Sequence, residues 1–176
     1  MSKTDRERVV VLVKAWPQPS QKYGETVCCA GVTPEGEWRR LFPIRFRHLA
    51  GDAQFQRWNL LEYRPEKPRD DKRPESRRVD EPTLKVLGKV PDRQRADFLQ
   101  KLIRGSAQEA SARGETLALI RPREVRLTWR AKPQSEIDAE SARRQRTAAQ
   151  GSLLDKELNE IEPCPYFLYM RFVDDA

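Results

Sequence analysis

Thr26-Val27-Cys28-Cys29-Ala30-Gly31-Val32, Thr33-Pro34-Glu35-Gly36 and Glu37-Trp38-Arg39-Arg40-Leu41-Phe42 form the stretch that decides the fold. The first block is short, apolar and β-branched, which suits a pleated, half-buried surface. The second has turn chemistry, with Pro to fix one φ and Gly to accept a positive one. The third alternates back, so the three together predict a β-hairpin. Upstream, Val9-Val10-Val11-Leu12-Val13-Lys14-Ala15-Trp16 reads as a buried first strand, stopped by Pro17 and Pro19 and followed by a loop to Gly24. Downstream, Pro43 to Leu49 reads equally as a short helix or an extended segment at a barrel mouth. Gln56 to Arg64, with Trp58, Leu60, Leu61 and Tyr63, is a further strand, and the Pro-broken, charged stretch 65–82 is a loop.

Thr83 to Val90 is strand-like. Asp92 is placed to cap a helix to about Arg113, in which Phe98, Leu99, Leu102 and Ile103 share a face and Gly114 ends the run. Leu117 to Ile120 and Glu124 to Trp129 are strand-like around Pro122. Residues 131–162 carry few large apolar side chains and predict a mobile excursion or a solvated helix pair. The aromatic run Pro165 to Val173 must be paired or buried, and so closes the sheet. No βαβ alternation and no repeat occurs. The expectation is a single mainly β (α+β) domain over 1–176, a small antiparallel OB-like or SH3-like barrel with one attached helix.

With 176 residues and a formal net charge of +7, its basic residues mostly Arg, the leading partner class is a polyanion. The competing reading is a solvated surface of interleaved Arg and Glu. The N-terminus has no apolar run of signal-peptide length, and Val9 to Val13 is too short to span a bilayer, so a cytoplasmic protein with no membrane partner is expected. Cys28 and Cys29 are strand neighbours that point to opposite faces. With Cys164 and His48 they lack the paired spacing of a zinc site, so buried reduced thiols, no disulfide, no metal and no cofactor are expected. The single His has no nucleophile elbow beside it, and no Gly-rich phosphate loop occurs.

What remains is a candidate nucleic-acid surface. Arg39, Arg40, Arg45 and Arg47 lie close in sequence to Trp38, Phe42 and Phe46, and cationic forks beside flat rings are what hold a single strand. Alternatively, Trp38 and Phe42 share a strand face and belong to the core. Lys22 and Tyr23 occupy a Pro-flanked loop with Ser20, either contacting phosphate or forming a rigid turn with Tyr23 as a lid. Arg73, Arg77 and Arg78 either clamp a backbone or make internal ion pairs. Single-stranded DNA or RNA binding leads. A protein-interaction adaptor or inhibitor, docking through the C-terminal strand or residues 131–162, is second. A metal-dependent nuclease using Asp70, Asp71 and Glu75 comes last, because those acids lack the usual acid-x-Lys ending.

Trp16-Pro17-Gln18-Pro19-Ser20-Gln21-Lys22-Tyr23, Cys28-Cys29-Ala30-Gly31, Trp38-Arg39-Arg40-Leu41-Phe42-Pro43-Ile44-Arg45-Phe46-Arg47 and Asp71-Lys72-Arg73-Pro74-Glu75-Ser76 together resemble an uncharacterised bacterial family carrying these four blocks. Gln150 to Leu154 and Pro165 to Tyr169 echo it more weakly. Members of that family continue into a Cys/His-containing tail, whereas this chain stops at Ala176. More loosely, the hairpin resembles the opening of dual OB-fold proteins, which implies an OB-like barrel by analogy.

Overall fold

The computed structural model describes residues 6–149 and 161–175. They divide into two compact units, 6–95 with 147–149, and 96–146 with 161–175.

The first unit is built from β1 (Glu7–Lys14), β2 (Gln18–Ser20), β3 (Gly24–Val32), β4 (Trp38–Ile44), β5 (Asn59–Glu66) and β6 (Ser76–Lys89), with 3-10 turns at Phe46–His48 and Gly51–Ala53. The expected hairpin is β3–β4. Its turn is fixed by Gly36 at φ +97°, by the Gly36 N–H donating to the Thr33 carbonyl, and by the Thr33 hydroxyl accepting from the Glu37 N–H. Residues of β1 pair on both sides, Glu7 to Val10 with β5 and Val10 to Lys14 with β3, and this double pairing closes the sheet into a barrel. Closure demands a close approach of β1 to β3. A Cβ on Gly31 would stand 2.4 Å from the Val10 carbonyl oxygen, so only glycine fits there. Inside the barrel lie Val9, Val11, Val27, Leu41, Ile44, Phe55, Leu61 and Tyr63, all essentially without exposure. Burying aliphatic and aromatic side chains of this size contributes about 1.5–3 kcal/mol each.

The barrel is mainly β, as expected, but not wholly antiparallel. β4 and β6 run parallel, with Arg40 opposite Ser76 and Leu41 opposite Arg77. The reason lies in the charged stretch expected to be a loop: Ser76 to Glu81 is the first half of β6. Its charges are satisfied across the ladder, Arg78 with Glu66 at 3.5 Å and Asp80 with Arg64 at 3.6 Å. Cross-strand pairs of this kind let a hydrophilic segment read as strand.

In the second unit the single helix expected from Asp92 to Arg113 is two: α1 (Asp92–Gln100), which begins in the first unit, and α2 (Ala107–Ala112). Between them lies β7 (Ile103–Arg104), paired parallel with β8 (Leu119–Ile120). A capping box restarts the helix at α2. The Ser106 hydroxyl accepts from the Glu109 N–H at 3.0 Å, while the Glu109 carboxylate accepts from the Gly105 N–H at 2.8 Å. Next comes β9 (Arg123–Ala131), then α3 (Gln134–Ala149) where an excursion was expected, and β10 (Tyr166–Val173). α3 is held by Glu140, which accepts from both Lys132 and Arg144. The remainder of the expected excursion, 150–160, lies outside the described residues. The described chain thus carries three α-helices, not one. β10 pairs with β9 alone, in a two-stranded ribbon, and does not close the barrel sheet.

Candidate nucleic-acid interface

Most of the candidate arginines are already bound to carboxylates. Arg39 donates from Nε to Glu7 Oε1 at 2.6 Å and from Nη2 to Glu37 at 2.5 Å, and its side chain is only 11 % exposed. Glu7 is the centre of this cluster: its other oxygen accepts the Tyr63 hydroxyl at 2.6 Å and lies 3.4 Å from Arg77 Nε. Arg47 forks onto both oxygens of Glu25 at 2.7 and 2.6 Å. Arg40 meets Glu75 at 3.1 Å, Arg73 meets Asp71 at 2.6 Å, and Arg78 meets Glu66. Arg45 holds Glu81 through its backbone N–H. Arg39, a candidate for phosphate contact, is held by these two acids instead. A β4 residue next to the barrel seam meets the start of β1, and the sequence separation of 32 between Arg39 and Glu7 hides that contact from any local pattern.

Asp71 and Glu75 of the loop preceding β6 serve these pairs. Asp71 accepts from Arg73 and from the Ser76 hydroxyl, and these bonds, Arg73 foremost, hold its carboxyl well below the usual range. Among the described residues no three His, Cys, Asp or Glu side chains converge as metal ligands. Ser20 accepts from the Tyr23 N–H at 3.3 Å, so its hydroxyl caps the loop's own turn.

A different set stands open. The register shifts where Val27 and Cys29 oppose Ile44 and Leu41, so the extra residue lies on β4 beyond Leu41, while β3 keeps its alternation. Leu41 stays inside while Phe42 turns outward at 41 % exposure, and Cys28 turns out with it. Phe42, which an even spacing from Trp38 assigned to a shared core face, is corrected; Trp38 is half-buried. Tyr23 packs its ring edge-on against Phe42, with centroids 6.0 Å apart, and Lys22 Nζ lies 5.2 Å from the Tyr23 centroid. Arg40 and Phe42 flank the buried Leu41 on β4 and so share its outer face; burial pushes the Cys28 thiol up, while the charges of Arg40 and Arg73 act on it in the opposite sense. Lys22, Tyr23, Phe42, Arg40 and Arg73 therefore surround one patch. Three exposed cations of the same loop as Arg73, namely Lys67, Arg69 and Lys72, have no acid partner among the described residues and escaped the sequence reading because they stand among Pro and Asp. Of the three thiols only Cys29 is buried, and burial pushes it up to about 12; Cys28 and Cys164 are exposed.

These features define a basic, mostly β domain whose barrel presents an aromatic and cationic patch beside a network of internal ion pairs. The chain belongs to the family described as Domain of unknown function (DUF8758), whose model matches residues 5–104, the barrel together with α1 and β7. No curated protein and no solved structure matches it. Among the described residues no helix is long and apolar enough to cross a membrane.

Proposed function

We propose that this protein is a cytoplasmic module that binds single-stranded DNA or RNA across the outer face of β3 and β4, rimmed by loops 15–23 and 67–75. The observation that carries the reading is the convergence of Lys22, Tyr23 and Phe42 with Arg40 and Arg73 on that one patch. Strand order supports it. Taken in chain order, the five strands that close the barrel run 1-2-3-5-4 and back to 1, with only the third and fifth parallel. That is the arrangement of an OB-like barrel, in which the second and third strands and the loops beside them hold oligonucleotides. A surface ion pair such as Arg73 with Asp71 is weak in water, so phosphate can replace the carboxylate at small cost. Arg39 and Arg77, fixed on the half-buried Glu7, support the barrel instead.

Fluorescence polarisation with oligo(dT) and oligo(U) at two salt concentrations tests the proposal. Tyr23→Ala or Phe42→Ala should weaken binding roughly 5- to 150-fold, the equivalent of about 1–3 kcal/mol of stacking on one base. Affinity should fall steeply with salt. Failure of the unaltered protein to bind either oligonucleotide at low salt would end the reading.

A second reading, a protein-interaction module, is favoured by one observation. One side of the β9–β10 ribbon carries Leu127, Trp129, Leu168 and Met170, each more than half exposed, with no charged side chain among them. A protein partner offering an apolar strand or helix would cover it. Trp129→Glu would then abolish co-purification of that partner and leave oligonucleotide binding unchanged.

A further inference from the structure

We propose that the opposite side of the β9–β10 ribbon, carrying Arg126, Arg130 and Arg171, is a second surface for single-stranded nucleic acid, outside the barrel and outside the family match. This rests on the nucleic-acid reading and extends it to the second unit. Residues directly opposite in an antiparallel ladder share a face, and the register sets Arg126 against Arg171, Thr128 against Tyr169 and Arg130 against Phe167. Two guanidinium groups directly opposed repel, which destabilises a ribbon that already has only two strands. Among the described residues no acid relieves this. Arg126, Arg130 and Arg171 are exposed and none has a carboxylate partner among the described residues, whereas Arg123 at one end takes Asp175 and Lys132 at the other takes Glu140. The contrast with the barrel, where every one of the candidate arginines has an acid neighbour or a further contact, is what singles this face out.

Flat rings stand between the charges. The Arg130 guanidinium lies 4.9 Å from the Phe167 centroid and its Nη2 donates to the Tyr169 hydroxyl at 3.4 Å, while the two rings are 6.5 Å apart. Arg126 and Arg130 are separated by roughly 13 Å at ~3.3 Å per strand residue. A polyanion with a flexible backbone and stackable bases meets both demands, neutralising the opposed charges and covering the rings. An acidic protein segment meets only the first.

The test uses the full chain with fluorescein-labelled oligo(dT) and oligo(U) between 50 and 200 mM salt, and the double substitution Arg126→Gln with Arg171→Gln. Removing the repulsion leaves thermal stability unchanged or raised, so loss of fold does not confound the result. The expected outcome is a salt dependence, log K against log salt, shallower by about 1.4, at ~0.7 per lost phosphate contact on a single strand. Phe167→Ala should weaken binding roughly 5- to 150-fold. If the double variant keeps the unaltered slope while Phe42→Ala still weakens binding, the ribbon surface is refuted and the barrel reading stands. If poly-L-glutamate displaces the oligonucleotide at matched charge, the face reads charge alone and the proposal falls. If the unaltered protein binds no oligonucleotide at 50 mM salt, both proposals fall together.

Discussion

Replacing Glu7 by Ala should unfold the barrel more readily than any other change at a charged position of the first unit. Its carboxylate takes the Tyr63 hydroxyl at 2.6 Å, Arg39 Nε at 2.6 Å and Arg77 Nε at 3.4 Å, and its side chain is 17 % exposed. Tyr63 is wholly buried, so Glu7→Ala leaves its hydroxyl without an acceptor, at a cost of about 1–3 kcal/mol. It also leaves Arg39, nearly buried, with Glu37 as its remaining carboxylate beside the Trp38 carbonyl. Breaking a buried pair by removing one partner costs about 3–5 kcal/mol. Because Glu37 remains and Arg77 is partly solvated, we set the total near the low end, about 3 kcal/mol. At ~2–4 °C per kcal/mol for a chain of this size, the melting midpoint should fall by roughly 6–12 °C. Glu7→Gln keeps an acceptor for Tyr63 and should cost about half as much. Tyr63→Phe, which leaves the ion pairs intact, should cost about 0.5–1.5 kcal/mol. Urea denaturation followed by tryptophan fluorescence measures all three. A Glu7→Ala midpoint within 1 kcal/mol of the unaltered protein would show that the cluster is solvated and that its geometry contributes nothing.

Gly31→Ala should destabilise by about 2–3 kcal/mol, since the added methyl meets the Val10 carbonyl and the Val9 side chain; an unchanged urea midpoint would mean that β1 and β3 are not in close register. Titration with an aromatic disulfide at pH 8 should modify Cys28 and Cys164 quickly and Cys29 only on unfolding, because burial keeps its thiol protonated to about 12; three equally reactive thiols would contradict the barrel interior. Acid should destabilise the second unit. Lys132 and Arg144 hold Glu140 below its ordinary 4.5, and Arg104 does the same for Glu115. The unfolded chain therefore binds protons first, and this stabilisation, complete above about pH 4.5, is lost as pH falls through the folded values. Arg104→Gln should flatten the Glu115 part of that slope in pH-dependent melts, and an unaltered slope would remove the pair from the account.

How much of this was written in the chain follows from how far each interaction reaches. The β3–β4 hairpin was legible because its turn chemistry, its β-branched first strand and its alternating second strand all lie within 17 residues, Thr26 to Phe42. β1 was legible as an apolar β-branched run closed by prolines. The basic character, the Lys22 and Tyr23 loop and the mainly β class needed nothing beyond composition and local pattern. The parallel β4–β6 pairing, the doubly paired β1 and the Glu7 cluster are contacts between residues 15 to 70 apart in the chain, and no periodicity encodes them. Tertiary structure alone also decided which face of each strand is core: Val27, Cys29 and Leu41 are buried, so Cys28 and Phe42 beside them stand outward by simple alternation. It separated the arginines spent on neighbouring carboxylates from those of the β9–β10 ribbon. The sequence supplies an excess of positive charge, but whether a given charge is free depends on which acid the fold brings within 4 Å of it.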